Sequence, residues 1–117
     1  MPPIILSMGL EETCIEKIAE HWSSSQLGVM PQVASLVEQI RSEAPALIVL
    51  GSDGKRADDG MAIVREIRSM HELLPNILIS RHSSEVRAIS ALKAGVTDYF
   101  KYPIPYPQLF RSIDRLA

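Results

Sequence analysis

The side chains able to do covalent or metal chemistry are few and scattered in this chain. Cys14 is its only cysteine, so no intrachain disulfide can form, which fits a reducing cytoplasm. At its helical spacing Cys14 reads as a small buried hydrophobe rather than a reactive thiol. His21, His71 and His82 share no ligand spacing. No glycine-rich phosphate loop, nucleophile elbow or zinc spacing is present. What remains is a set of residues that close short apolar runs: Ser7 and Met8 after Ile4-Ile5-Leu6, Gly51 after Leu47–Leu50, Ser80 after Ile77–Ile79, and Lys101-Tyr102 after Tyr99-Phe100. Near the third run the nearest carboxylate is Asp53, in an Asp53-Gly54 pair that suits a tight turn. Glu11 and Glu12 could approach a metal, but they fit the charged first turn of a helix more simply. Arg81 and His82 could meet an anion, or be exposed residues opening a loop.

These residues are positioned by alternating strands and helices. Ile4-Ile5-Leu6 is apolar throughout, as a buried strand requires. After Gly9, the residues Ile15, Ile18, Ala19 and Trp22 recur at helical spacing. Leu27–Met30 is a weak strand. Pro31 opens a helix showing Val33, Leu36, Val37 and Ile40. Leu47–Leu50 is the clearest strand, followed by a polar loop through Gly60. Asp58 or Asp59 can cap a third helix that shows Ile63, Val64, Ile67 and Met70. The strand Asn76–Ser80 follows Pro75. Ser83 or Ser84 can cap a fourth helix, expected to turn Val86, Ile89 and Leu92 inward, and Gly95 suits its left-handed close. The strand Asp98–Lys101 and a helix with Leu109, Phe110, Ile113 and Leu116 complete the chain. Apolar strands joined by helices imply an α/β fold: a three-layer, doubly wound (βα)5 domain around a five-stranded parallel sheet. In such sheets the functional crevice lies at the carboxyl ends of the strands, where strand order reverses.

The bulk properties agree with one domain spanning 1–117. Hydrophobic residues make up 46%, charged residues 22%, and the net charge is −2, which does not advertise nucleic-acid or membrane binding. Residues 1–50 hold two basic groups against six acidic ones, and residues 81–117 hold six against three. This gives a mildly basic C-terminal part. No apolar run reaches the ~18 residues of a membrane span. The start lacks a basic leader and a cleavage site, so a cytoplasmic location is expected.

Ala91-Leu92-Lys93-Ala94-Gly95-Val96-Thr97-Asp98-Tyr99-Phe100-Lys101-Tyr102-Pro103 resembles the "A-L-x-A-G-A-x-D-Y-x-x-K-P" segment of bacterial response regulator receiver domains. Pro45–Leu50 is similar to that family's "P-D-L-V-L-L", Asp59-Gly60-Met61 with Ile67-Arg68 to its "D-G-x-x-x-x-x-x-I-R", and Pro75–Ser80 to its "P-I-I-x-L-T". Together the matches cover essentially the whole chain in order. The resemblance implies a flavodoxin-like, CheY-like sheet of order 2-1-3-4-5. It also implies a signalling role rather than an enzyme's, and a position N-terminal to an effector domain in a longer regulator.

The resemblance also implies a site: an acidic pair holding Mg²⁺, an acceptor aspartate, a Thr or Ser, and a Lys before proline. Here those positions fall on Ser7, Met8, Gly51, Ser80 and Tyr102, so only Ser80 keeps the family's residue type. The expectation is a pseudo-receiver with no catalytic residue, no metal and no cofactor. A rival reading is a shifted acceptor at Asp53, and another is a small-ligand sensor in the vacated crevice. Ser80 and Tyr99 match the family's switch pair. Tyr102-Pro103 matches a bond that resembles a cis turn. Arg87, Lys93, Asp98, Lys101, Arg111, Asp114 and Arg115 mark the face of the fourth helix, fifth strand and fifth helix. There the family pairs with itself or with protein targets, and this domain is expected to do so without contacting nucleic acid or membrane itself.

Overall fold

The apolar runs are strands because they are covered from both sides. In the computed structural model, which describes residues 5–22, 27–30, 33–42, 45–52, 59–70, 73–81 and 84–117, Ile5, Leu6, Leu47 through Leu50, and Ile77 through Ile79 are essentially inaccessible to water. The strands are β1 (Ile5–Met8), β2 (Leu27–Val29), β3 (Leu47–Ser52), β4 (Asn76–Ser80) and β5 (Asp98–Lys101). They alternate with α1 (Glu12–His21), α2 (Val33–Ser42), α3 (Asp59–Met70), α4 (Glu85–Ala94) and α5 (Tyr106–Leu116). All neighbouring strands are parallel, in the order β2-β1-β3-β4-β5. This is the architecture and strand order expected from the sequence.

Strand residues point alternately to the two faces, and the core divides accordingly. On one face Leu6, Ile48, Leu50 and Leu78 meet Leu36 and Ile40 of α2, Ile63, Val64 and Ile67 of α3, and Ala91 of α4. On the other, Ile5, Leu47, Val49, Ile77 and Ile79 meet Cys14 and Ile18 of α1 and Leu109 and Ile113 of α5. Among the described residues no helix is long and apolar enough to cross a membrane.

α4 departs from the expectation. Ser84 caps it as foreseen, its hydroxyl accepting from the Arg87 amide at 3.2 Å, and Gly95 closes it at φ 105°. However, Val86, Ile89 and Leu92, expected to face inward, are 73%, 46% and 62% exposed. The helix instead turns Ala91 fully into the core and half-buries Ala88 and Ala94. Two stripes share the same three-residue spacing, and the sheet takes the one of small side chains, which lets α4 lie close against it. Periodicity could not choose between them.

Candidate functional site

Because the sheet is parallel, the strands deliver their carboxyl ends to one rim. β1 runs through Met8, so Ser7 and Met8 are paired inside the sheet opposite Val49 and Leu50. Ser7 is buried, its hydroxyl directed to the Gly28 carbonyl at 3.5 Å, and Met8 packs on the α2–α3 side. The chain then turns at Gly9, in the left-handed region at φ 77°, a conformation glycine adopts without steric cost. Glu11 follows as the residue before the first turn of α1. Across the rim, β3 ends with Gly51 and Ser52, β4 with Ser80 followed by Arg81, and β5 with Lys101 followed by Tyr102, whose bond to Pro103 is cis. A cleft of about 260 Å³ opens there, lined by Gly9, Glu11, Gly51, Ser52, Ile79, Arg81 and Tyr102. Of the five positions singled out in the sequence, Gly51 and Tyr102 line this cleft, and Ser7, Met8 and Ser80 do not.

At Gly51, the position where the resemblance leads one to expect an acceptor, backbone fills the space of a side chain. The carbonyl group and carbon of Gly9 stand where a Cβ on Gly51 would project, and the amide nitrogen of Leu10 lies 3.2 Å from that point. Glycine permits this close approach, and any side chain would force the two loops apart.

Charge at the mouth is balanced locally. Glu11 and Arg81 form an ion pair across the cleft, and the Arg81 guanidinium also lies 5.3 Å from the centre of the Tyr102 ring, within cation–π range. Burial pushes the Tyr102 hydroxyl above its ordinary pKa, as does the Cys14 thiol, while Arg81 opposes the shift. Beneath the cleft the buried Cys14 thiol is pushed up to about 11 by desolvation, partly offset by its hydrogen bond with Tyr106. Tyr106 is itself raised, by burial first and by Cys14 second.

A Mg²⁺ ion wants several carboxylate or phosphate oxygens. The described residues of the cleft supply one carboxylate, Glu11, already paired with Arg81. Among the described residues no three His, Cys, Asp or Glu side chains converge. These residues do not fit a Mg²⁺ site. Asp53, His71 and His82 lie outside the described residues.

The remaining candidates are distributed more widely than their sequence positions suggested. Ser80 is buried at the end of β4. Tyr99, opposite Leu78 in the register, is half-buried against the α3–α4 core. Strand alternation puts Ser80 and Tyr99 on the same side of the sheet. A second groove beside α4 is lined by Ser84, Glu85, Ala88, Tyr99 and Lys101, so Lys101 faces α4 and not the cleft.

The seven expected interface residues separate. Asp98, Arg111 and Arg115 share a groove with Phe100, Gln108 and Ser112, where Asp98 accepts from both Ser112 and Arg115. Lys93 is exposed on α4. Two residues point elsewhere. Arg87 turns inward and donates to the Ser52 hydroxyl at 3.1 Å. Asp114 reaches across to α1 and pairs with His21 at 3.1 Å, beneath a stacked contact of His21 with Phe110 at 4.3 Å. α5 meets β5 through Ser112 and Arg115, which both donate to Asp98, and α1 through Asp114, so its charged residues serve two neighbours.

The Brucella abortus NtrX receiver domain superimposes with a TM-score of 0.80 over 96% of each chain, at 26% identity. The chain has the fold of a response regulator receiver domain. A BeF3-activated DrrB receiver domain shares that fold at a TM-score of 0.80 and 19% identity. In sequence the chain is 29% identical over 80 residues to the transcriptional regulatory protein ZraR of Escherichia coli K12, covering 68% of this chain and 18% of ZraR. It is 28% identical over 82 residues to the DNA-binding transcriptional regulator NtrC of the same organism, covering 70% of this chain and 17% of NtrC. The chain thus spans less than a fifth of the length of these relatives. No family model matches it.

Three features of the rim were not foreseen: the Gly9–Gly51 approach, the Glu11–Arg81 pair and the Arg87–Ser52 hydrogen bond. Each joins residues tens of positions apart, and no local pattern announces it. The fold's topology is the one signal that could have found the ion pair, because it brings the loops after β1 and β4 to one rim with opposite charges on them.

Proposed function

We propose that this receiver signals without phosphorylation, through protein contacts on the face made by α4, β5 and α5. The observation that carries the reading is Gly51 at the end of β3, enclosed by the Gly9 backbone. A glycine offers no nucleophile, and the crowded backbone leaves no room for one. The Glu11–Arg81 pair supports the same reading, because it occupies the mouth with a cation and commits the one carboxylate among the described residues of the cleft. The position in a longer regulator also remains part of this proposal. ZraR and NtrC are transcriptional regulators several times longer than this chain, and by analogy the receiver would pass its state to an effector domain rather than touch DNA itself.

The test is incubation with Mg²⁺ and acetyl phosphate, read by intact mass, alongside titration with beryllofluoride, read by amide chemical shifts. We expect no phosphoryl adduct and unchanged shifts in α4, β5 and α5. A Mg²⁺-dependent adduct mapped to Asp53 would overturn the proposal in favour of a shifted acceptor.

A second reading has one observation in its favour, the cleft of about 260 Å³ with Arg81 and Tyr102 in its wall. Such a cleft could take a small ligand. Ligand-dependent melting that Tyr102→Ala abolishes would support it, and a melting temperature that no small-molecule library moves would remove it.

A further inference from the structure

The cleft at the strand ends carries one full charge of each sign, and both sit on side chains that can swing. Glu11 and Arg81 meet across its mouth with side chains 41% and 46% exposed. An ion pair this exposed is held weakly, because water screens both partners. The Glu11 carboxylate does not cap α1, although Glu11 is the residue before that helix. The wall behind the pair is fixed by main chain instead. The Arg81 amide donates to the Ser52 carbonyl at 2.8 Å, and the Tyr102 amide to the Ser80 carbonyl at 3.1 Å. Gly9, Gly51, Ser52, Ile79 and Tyr102 complete the lining.

We propose that this cleft takes a small zwitterion, an α-amino acid with an uncharged side chain, whose ammonium pairs with Glu11 and whose carboxylate pairs with Arg81. Binding breaks one weak pair and forms two charge-assisted ones. The planar guanidinium fork matches a carboxylate in two hydrogen bonds. Glu11 and Arg81 cancel, so the described lining is neutral overall, and a ligand of net charge would find no counterion there. A bare anion at Arg81 would stand beside the Glu11 carboxylate, and a bare cation at Glu11 beside the Arg81 guanidinium. Like charges so placed disfavour the complex. At about 260 Å³ the space is smaller than a drug-sized site, which suits an amino acid. Ile79 and the Tyr102 ring offer apolar surface for its side chain. The site also has a route to α4. Ser52 lines the cleft, and its hydroxyl accepts from Arg87 in the first turn of that helix, so a ligand that shifts Ser52 shifts α4.

The inference rests on the small-ligand reading of the cleft and narrows it to one chemical class. It requires neither Mg²⁺ nor a phosphoryl group.

The experiment is calorimetric titration of the chain with alanine, valine, leucine and glutamine, each alongside the acid that lacks its ammonium and the amine that lacks its carboxylate. At least one amino acid should bind with a dissociation constant between about 10 µM and about 1 mM, and its acid and amine at least about tenfold more weakly. Glu11→Gln and Arg81→Gln, checked for folding by circular dichroism, should each weaken the amino acid by about tenfold or more. Glu11→Gln should also erase the preference for the amino acid over the bare acid, and Arg81→Gln the preference over the bare amine, which a merely structural role would not do. Amide shifts on binding should reach the first turn of α4, and shifts confined to the rim would overturn the route through Ser52. An acid or amine that binds the unaltered chain as tightly as its amino acid, or binding that survives both substitutions, would overturn the zwitterion. If no amino acid binds while another small molecule raises the melting temperature through Tyr102, the zwitterion falls and the small-ligand reading stands. If no small molecule moves the melting temperature, both fall.

Discussion

The backbone carbonyl of Gly9 stands in the space that a Cβ on Gly51 would fill. The two loops at the carboxyl ends of β1 and β3 therefore touch through main chain, where a receiver that accepts a phosphoryl group needs side chains on both. Gly51→Ala should cost about 1–3 kcal/mol in denaturant unfolding, the range for forcing a methyl group into occupied space. Gly51→Asp, which restores the acceptor residue type, should cost at least as much. It should also gain no Mg²⁺-dependent labelling by acetyl phosphate. If it labels readily, the rim is less rigid than the Gly9 contact implies.

How much of this was legible beforehand differs between the two levels of structure. The strands declared themselves because Ile4–Leu6, Leu47–Leu50 and Ile77–Ile79 are apolar without a break, a pattern that only burial on both faces explains. Their order then followed from the family resemblance. That a glycine, Gly51, stands where the resemblance leads one to expect an acceptor was legible because it directly follows the clearest strand. The rim's contents were not, because Glu11 meets Arg81 and Arg87 meets Ser52 only through the fold. The orientation of α4 was misread because two stripes, Val86-Ile89-Leu92 and Ala88-Ala91-Ala94, share one period. Hydrophobicity favoured the first, whereas the closeness of the sheet favoured the second.

The outward orientation of α4 makes a contrast in stability. Ile89→Ser should change the unfolding free energy of the monomer by no more than about 0.5 kcal/mol, as for other surface sites. Leu78→Ala, at a fully buried position, should cost about 2–5 kcal/mol. Urea titrations at concentrations low enough to keep the chain monomeric would compare them. An Ile89→Ser cost near that of Leu78→Ala would place Ile89 in the core.

Asp98 accepts from a buried hydroxyl, that of Ser112, and from an exposed guanidinium, that of Arg115. The two partners should be worth different amounts. Arg115 is 65% exposed, so Arg115→Ala should cost less than about 1 kcal/mol. Asp98→Ala leaves the Ser112 hydroxyl buried without this acceptor and should cost about 1–3 kcal/mol. The double variant Asp98→Ala/Ser112→Ala should recover part of that cost, because it removes the stranded group. A cost for Arg115→Ala exceeding that of Asp98→Ala would reverse this assignment.

Cys14 gives the fold a dependence on alkaline pH whose sign is fixed by burial. Desolvation raises the thiol from 9.0 to about 11, so between those values the unfolded chain releases a proton that the folded chain retains. Stability is then full below about pH 9 and falls as pH rises through the interval toward 11, by on the order of 2–3 kcal/mol in total. Tyr102 and Tyr106 are raised as well, mainly by burial, and act in the same direction at higher pH. Cys14→Ala should therefore flatten the lower part of the decline while leaving the tyrosine part, although the substitution itself lowers the overall level. The same burial predicts slow alkylation. At pH 8 the native thiol should react with iodoacetamide at a rate set by opening of the structure rather than by its own ionisation. It should react promptly once the chain is unfolded in urea. Rapid labelling of the native chain would mean that the space between α1 and α5 admits solvent, and the pH dependence assigned to Cys14 would then disappear with it.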